Sequence, residues 1–184
     1  MCPEMCKELL DRFPEELALQ ELSNRFGMAI VIPLLPNRYY ISAKDYDCNG
    51  FVAEELPDFM RKKYGISDEA EQILGGISMG GFGAMVLPLK NPDTFSISVS
   101  LSMSFRTDEQ YMTESQSAWD NQWGKIFGGK GQTGEGRLTD YYKEHCPFYQ
   151  FIPENKEELS KVKWFLHCGD DEEQLLIAND NLHV

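Results

Sequence analysis

Positive charge is scarce in this chain: 17 Lys and Arg stand against 30 Asp and Glu, giving a net charge of −13. Such a surface repels nucleic acid and anionic membranes, so neither is expected as a partner. No apolar run approaches the roughly 20 residues needed to cross a bilayer. The opening MCPEMCKELLDRF is charged and amphipathic, unlike a signal peptide. Cysteine is sparse and scattered: Cys2, Cys6, Cys48, Cys146 and Cys168 are odd in number and form no zinc-type C-x-x-C pair. That usage argues for reduced thiols and a cytoplasmic location, with no metal and no cofactor. Repeats and low-complexity linkers are also missing, and 184 residues suit one domain with a substantial core.

What the chain does have is an alternation of helix-like and strand-like segments. Apolar residues at helical spacing mark residues 4–26 (Leu9, Leu10, Phe13, Leu17, Leu22, Phe26), with a stop at Gly27. MAIVIPLL, residues 28–35, is short and uncharged and suits a strand covered on both faces. PNRYYISAKDYDCNG has the composition of a loop, and FVAEELPDFMRKKYG the periodicity of a helix with a glycine stop. QILGGI (72–77), FSISVSLS (95–102) and KWFLHCG (163–169) read as further buried strands, and GFGAMVLPLK as a helix. Residues 103–155 lack clean periodicity. Buried strands separated by helices predict an α/β fold, a three-layer sandwich around a mainly parallel sheet.

Within GGISMGGFGA one serine stands among glycines. Gly76-Ile77-Ser78-Met79-Gly80 matches G-x-S-x-G. A nucleophilic serine on a sharp strand-to-helix turn needs small neighbours two positions away, because a Cβ there meets the crossing backbone. The alternative is a plain glycine-rich loop. Position favours the first, since QILGGI leads in and GFGAMVLPLK leads out. Ser78 is therefore the candidate nucleophile, and the N–H of Met79, at the start of the helix, a candidate oxyanion donor.

GISMGGFGAMVLPLKNPDTFSISVSLS resembles the esterase family of α/β-hydrolases that includes tributyrin-type, feruloyl and acetylxylan esterases, S-formylglutathione hydrolase and mycolyltransferases. VIPLLPNRYY, FVAEELPDFMRKKYGIS and WFLHCGDDEEQLLIANDNLH extend the likeness. The resemblance implies an α/β-hydrolase-type fold, one domain over 1–184 that is incomplete at both ends, and a cap-like insert at about 103–155. It implies a small-molecule ester as substrate, acetyl or feruloyl esters of sugars among them, and a serine–acid–histidine triad working through an acyl-enzyme. The acid lies within Asp170, Asp171, Glu172 and Glu173, with Asp171 preferred because the family uses aspartate. Tyr40, after the first strand, is a candidate substrate contact.

Histidine is where the pattern departs. His145 precedes the acids, His167 falls inside a strand and reads as a packed histidine, and His183 comes too early for the family's base. Nothing upstream of Met28 resembles the His-Gly turn that supplies the family's second oxyanion donor. Beside the expected serine ester hydrolase, the alternative is therefore a catalytically inactive, truncated member lacking the catalytic histidine and one oxyanion donor; exposed strand edges invite homo-oligomers. Trp119, Trp123 and Phe127 share one helical face and are expected in a core. GGKGQTGEG lacks the order of a phosphate cradle and reads as a mobile loop.

Overall fold

The computed structural model describes residues 18–35, 39–42, 46–171, 173–180 and 182. They divide into two compact units, one up to Pro36 and the other from Asn37 onward. In the first, helix α1 (Leu19–Phe26) ends on Gly27 at φ 63°, the left-handed stop its glycine permits. The expected strand at 28–35 is not there. The segment is irregular, and Ile32 and Leu34 are 41% and 75% exposed. An apolar run becomes a strand only where a neighbour takes its N–H and C=O groups, and this one joins no ladder among the described residues.

The second unit is built on three parallel strands, β1 (Ile73–Ile77), β2 (Ile97–Leu101) and β3 (Lys163–His167), in that spatial order. Ile73 is level with Ile97 and Lys163, and Ile77 with Leu101 and His167. All three strands were legible as apolar runs, each trimmed by one to three residues. Helix α2 precedes the sheet and begins earlier than its periodicity indicates. Its segments are Cys48–Gly50, a π-helical turn at Phe51–Glu55, and Leu56–Tyr64. The π turn answers to Pro57, whose ring would crowd the carbonyl four residues back in a regular helix. Leu56 N–H bonds instead to Phe51 O, five residues earlier.

Helix α3 (Met79–Lys90) links β1 to β2 and is apolar all round, with every residue from Gly81 to Pro88 buried. It lies on the sheet face that carries Ser98 and Ser100. Their hydroxyls donate to the carbonyls of Ala84 and Gly81. A Cβ on Gly81 would come within 2.9 Å of Leu101 O, so the missing side chain is what allows helix and strand to approach. The opposite face is open: Ile73, Ile77 and Phe165 are 51%, 46% and 57% exposed. The described residues thus supply one helical layer of the expected sandwich. Among the described residues β1 is also an edge strand. Ser78 N–H bonds Leu101 O on β2. Residues along a parallel strand alternate between neighbours, so the backbone groups of Ile73, Gly75 and Ile77 point to the unoccupied side.

Residues 103–155 form a helical region with its own core. It contains α4 (Asp108–Thr113), α5 (Gln116–Asn121), α6 (Trp123–Ile126), α7 (Asp140–His145) and α8 (Pro147–Gln150). Tyr111 sits at its centre, its ring edge-on to Trp119, Trp123, Phe127 and Tyr142. Trp119, Trp123 and Phe127 are all 2% exposed or less, as a core role requires. Arg137 is buried beside them, with its guanidinium over the Trp119 ring and donating to the carbonyls of Tyr111, Glu114 and Gln132. The glycine-rich loop is tethered rather than free: Trp119 Nε1–H donates to Gly129 O, and Gly131 N–H to Asp120. Helices α9 (Lys156–Leu159) and α10 (Glu173–Asp180) flank β3.

The exposed sheet face gives the first prediction. Phe165→Lys lowers binding of an apolar fluorescent dye such as ANS while changing stability by no more than about 0.5 kcal/mol, as at other exposed positions. Thermal denaturation alongside dye titration checks both halves.

Candidate active site

β1 and α3 meet at Ser78, which has φ 56° and ψ −115°. This is a conformation that side chains disfavour, costing on the order of 1–2 kcal/mol. Two features force it. Ser78 N–H is held by Leu101 O at 3.0 Å, keeping the strand end in register with β2. Ser78 O then accepts from Phe82 N–H at 3.1 Å, the first turn of the helix, so the chain must reverse within one residue. The reversal brings Gly76 against Gly80: a Cβ on Gly76 would stand 2.2 Å from Gly80 C and O. No side chain fits there. The glycine two residues before the serine is thus a steric requirement of the turn.

The turn exposes the Ser78 side chain, which makes no capping bond to the helix it precedes. Met79 N–H is one of the helix-start donors that lack an intrahelical carbonyl. Tyr40 lies against the same turn. Its ring fills the place a Cβ on Gly83 would take, at 2.4 Å, and its hydroxyl is 3.8 Å from a Cβ built on Gly80. Gly80 and Gly83, one helical turn apart, form the slot that seats it. Burial raises the Tyr40 phenol above its ordinary pKa, and the nearby Cys48 thiol adds to this. Tyr40 is therefore a neutral hydroxyl beside the turn.

Asp171 follows β3 at the same carboxyl edge of the sheet, exposed in a turn with Asp170. His167, at the end of β3, is level with Ile77. Two strand spacings, or about 10 Å, therefore separate the chain leading to Asp171 from the chain leading to Ser78. The fold brings Ser78, Met79, Tyr40 and Asp171 to one edge without direct contact between acid and serine. Glu172 and His183 lie outside the described residues. His167 is not packed as its strand position implied: it falls on the uncovered sheet face and is exposed. His145 is buried, its Nδ1 2.8 Å from Tyr141 O on its own helix and its ring against Tyr141. Burial chiefly lowers its pKa. Neither histidine is bonded to Ser78.

Rival nucleophiles fare worse. Burial pushes the Cys48 thiol up to about 11 and the Cys146 thiol to about 12, so both are protonated at neutral pH. A cavity of about 610 Å³ opens at the amino edge of the sheet by Gln72 and Ser96, opposite Ser78.

Sequence reasoning missed two residues. Ser104 donates its N–H to Ser78 O at 3.0 Å, and its hydroxyl lies 3.1 Å from Tyr39 OH. Asn179 is buried in α10 and donates to Met103 O next door. No local spacing marks either, because each acts across the fold.

Residues 37–182 match the family described as "Putative esterase". The chain belongs to that family. An acetyl esterase of Caldicellulosiruptor saccharolyticus is 33% identical over 85 residues, covering 45% of this chain and 32% of that protein. The chain thus spans about a third of the length of the curated relative it matches. The solved structure of MPT51 (FbpC1) of Mycobacterium tuberculosis superposes with a TM-score of 0.47 at 21% identity, covering 78% of this chain and 55% of that one. Family membership and the parallel α/β fold agree with the resemblance read from GISMGGFGA.

The turn's geometry carries two stability predictions of opposite sign. Gly76→Ala destabilises by at least about 3 kcal/mol, because its methyl meets fixed backbone. Ser78→Gly stabilises by roughly 1–2 kcal/mol, because glycine adopts this conformation without strain. Urea denaturation of each variant decides both.

Proposed function

We propose that this member of the esterase family is a serine carboxylic-ester hydrolase acting on small acyl esters, with Ser78 as nucleophile. The observation that carries the reading is the strained, exposed Ser78 on a strand-to-helix turn that excludes a side chain at position 76. Strain at a single exposed hydroxyl is paid for by the surrounding structure, and such residues concentrate at reactive sites. The name of the acetyl esterase relative favours acetyl as the acyl group.

In this reading Ser78 Oγ attacks the ester carbonyl and gives its proton to a base. The developing oxyanion is held by Met79 N–H at the start of α3. Collapse expels the alcohol with a proton and leaves an acyl-serine, which water hydrolyses to the acid and free Ser78. Asp171 is the proposed acid that orients the base, from the turn after β3, and Tyr40 offers a neutral hydroxyl to substrate beside the helix start. Residues 103–155 form the insert next to this edge.

Labelling with a fluorophosphonate and mass mapping of the adduct tests the assignment. The full chain is expected to be modified at Ser78, and Ser78→Ala to remove the adduct without loss of stability, since alanine bears similar strain. Asp171→Asn is expected to slow labelling at least about tenfold, with Asp170→Asn close to the parent. An unmodified Ser78 in the intact, folded chain overturns the reading.

A further inference from the structure

Among the described residues of the second unit, four other than glycine have positive φ: Tyr39 at 53°, Tyr40 at 58°, Ser78 at 56° and Ser102 at 43°. They are far apart in sequence, yet one chain of hydrogen bonds and ring contacts ties them together. Ser78 O accepts from Ser104 N–H at 3.0 Å. Ser104 Oγ is 3.1 Å from Tyr39 OH. Gln122 Nε2 donates to the same Tyr39 oxygen at 2.9 Å. The Tyr39 ring packs on Phe82 of α3 and on Trp123, with centroids 5.6 and 4.8 Å away. Just before Ser104, Ser102 N–H bonds His167 O at the end of β3, and Asn179 holds Met103 O.

The Gln122 NH2 group can only donate, so the Tyr39 oxygen accepts from it and keeps its phenolic proton, while the Tyr39–Ser104 hydroxyl pair shares a bond in which either oxygen can be the donor. Tyr39 is 7% exposed, so few waters compete for that proton. The network thus runs from Gln122, in the break between α5 and α6, through Tyr39 and Ser104 to the peptide group of Ser78.

That peptide has a second end. A trans peptide is planar, so the C=O of Ser78 and the N–H of Met79 point in opposite directions from one rigid plane. Two donors grip the carbonyl side, Ser104 N–H and Phe82 N–H. Fixing the carbonyl fixes the orientation of Met79 N–H on the other side. We propose that Ser104, Tyr39 and Gln122 are positioning residues that aim the Met79 N–H toward the oxyanion formed at Ser78. The inference rests on the reading of Ser78 as nucleophile. It adds that the helical region 103–155 helps set the reactivity of Ser78, directly through Ser104 and at one remove through Gln122.

The test compares the full chain with Tyr39→Phe, Ser104→Ala and Ser104→Thr, using two readouts. Amide hydrogen exchange by NMR reads the network without requiring activity. Tyr39→Phe and Ser104→Ala are expected to raise exchange at the Ser104 amide about tenfold relative to the Val99 amide of β2, and Ser104→Thr to restore protection. The rate of fluorophosphonate labelling reads the consequence, because the phosphoryl oxygen occupies the oxyanion position. It is expected to fall about tenfold or more in the first two variants and to recover in the third. Ser98→Ala removes a buried bond to the same helix away from the turn, and is expected to change neither ratio. Unchanged Ser104 exchange in both Tyr39→Phe and Ser104→Ala overturns the proposal, as does an equal response to Ser98→Ala. A parent chain that exchanges as expected but takes no label counts against Ser78 as nucleophile, and the positioning claim then falls with it.

Discussion

The near-contact of Gly76 with Gly80 governs the rest of the structure. A strand that ended in any larger residue could not turn back over itself within one position, because backbone would meet side chain at 2.2 Å. Once that approach is allowed, the following helix must start directly over the strand, and Ser78 must take the left-handed bend. From this single steric permission come the exposure of Ser78 and the start of a helix directly after it. The downward course of α3 across Ser98 and Ser100 follows as well.

Small residues carry the same logic along α3. Gly81 lets the helix sit on Leu101 O, and Gly83 leaves the space that Tyr40 fills. The helix is therefore shaped on two sides by absent side chains, one toward the sheet and one toward the loop at Tyr39 and Tyr40. Its apolar residues from Phe82 onward reach into a continuous aromatic packing: Phe82 stacks on Phe105, and Phe105 meets Tyr111. That continuity joins the sheet's helix to the helical region at 103–155.

Much of this was legible in the chain because the signals were local. QILGGI, FSISVSLS and KWFLHCG are short runs rich in apolar and β-branched residues, and each became a parallel strand. The glycine frame around Ser78 encoded its turn, since the reason for the glycines is a contact four residues away. MAIVIPLL shows where local reading stops. It has strand composition, but a strand is a relation between two segments, and composition does not say whether a partner exists. The helical region was illegible for a related reason. Its helices are four to six residues long, too short to show a period, and Trp119, Trp123, Phe127 and Tyr142 converge from different ones. Ser104, just past the end of β2, carries no local signal, because its importance lies in what it meets from Ser78 and Tyr39.

The turn at Ser78 rides on β1, a strand that among the described residues has a neighbour on one side alone. Ladder bonds to β2 resist sliding along the strand axis, whereas little on the vacant flank opposes rocking about the line those bonds define. Thermal displacement of the serine is then expected to be anisotropic, small along the strand and larger as a tilt out of the sheet plane. The grip of Ser104 on the Ser78 carbonyl acts against that tilt, so a bond formed after β2 supplies the stiffness that a second flanking strand would otherwise lend.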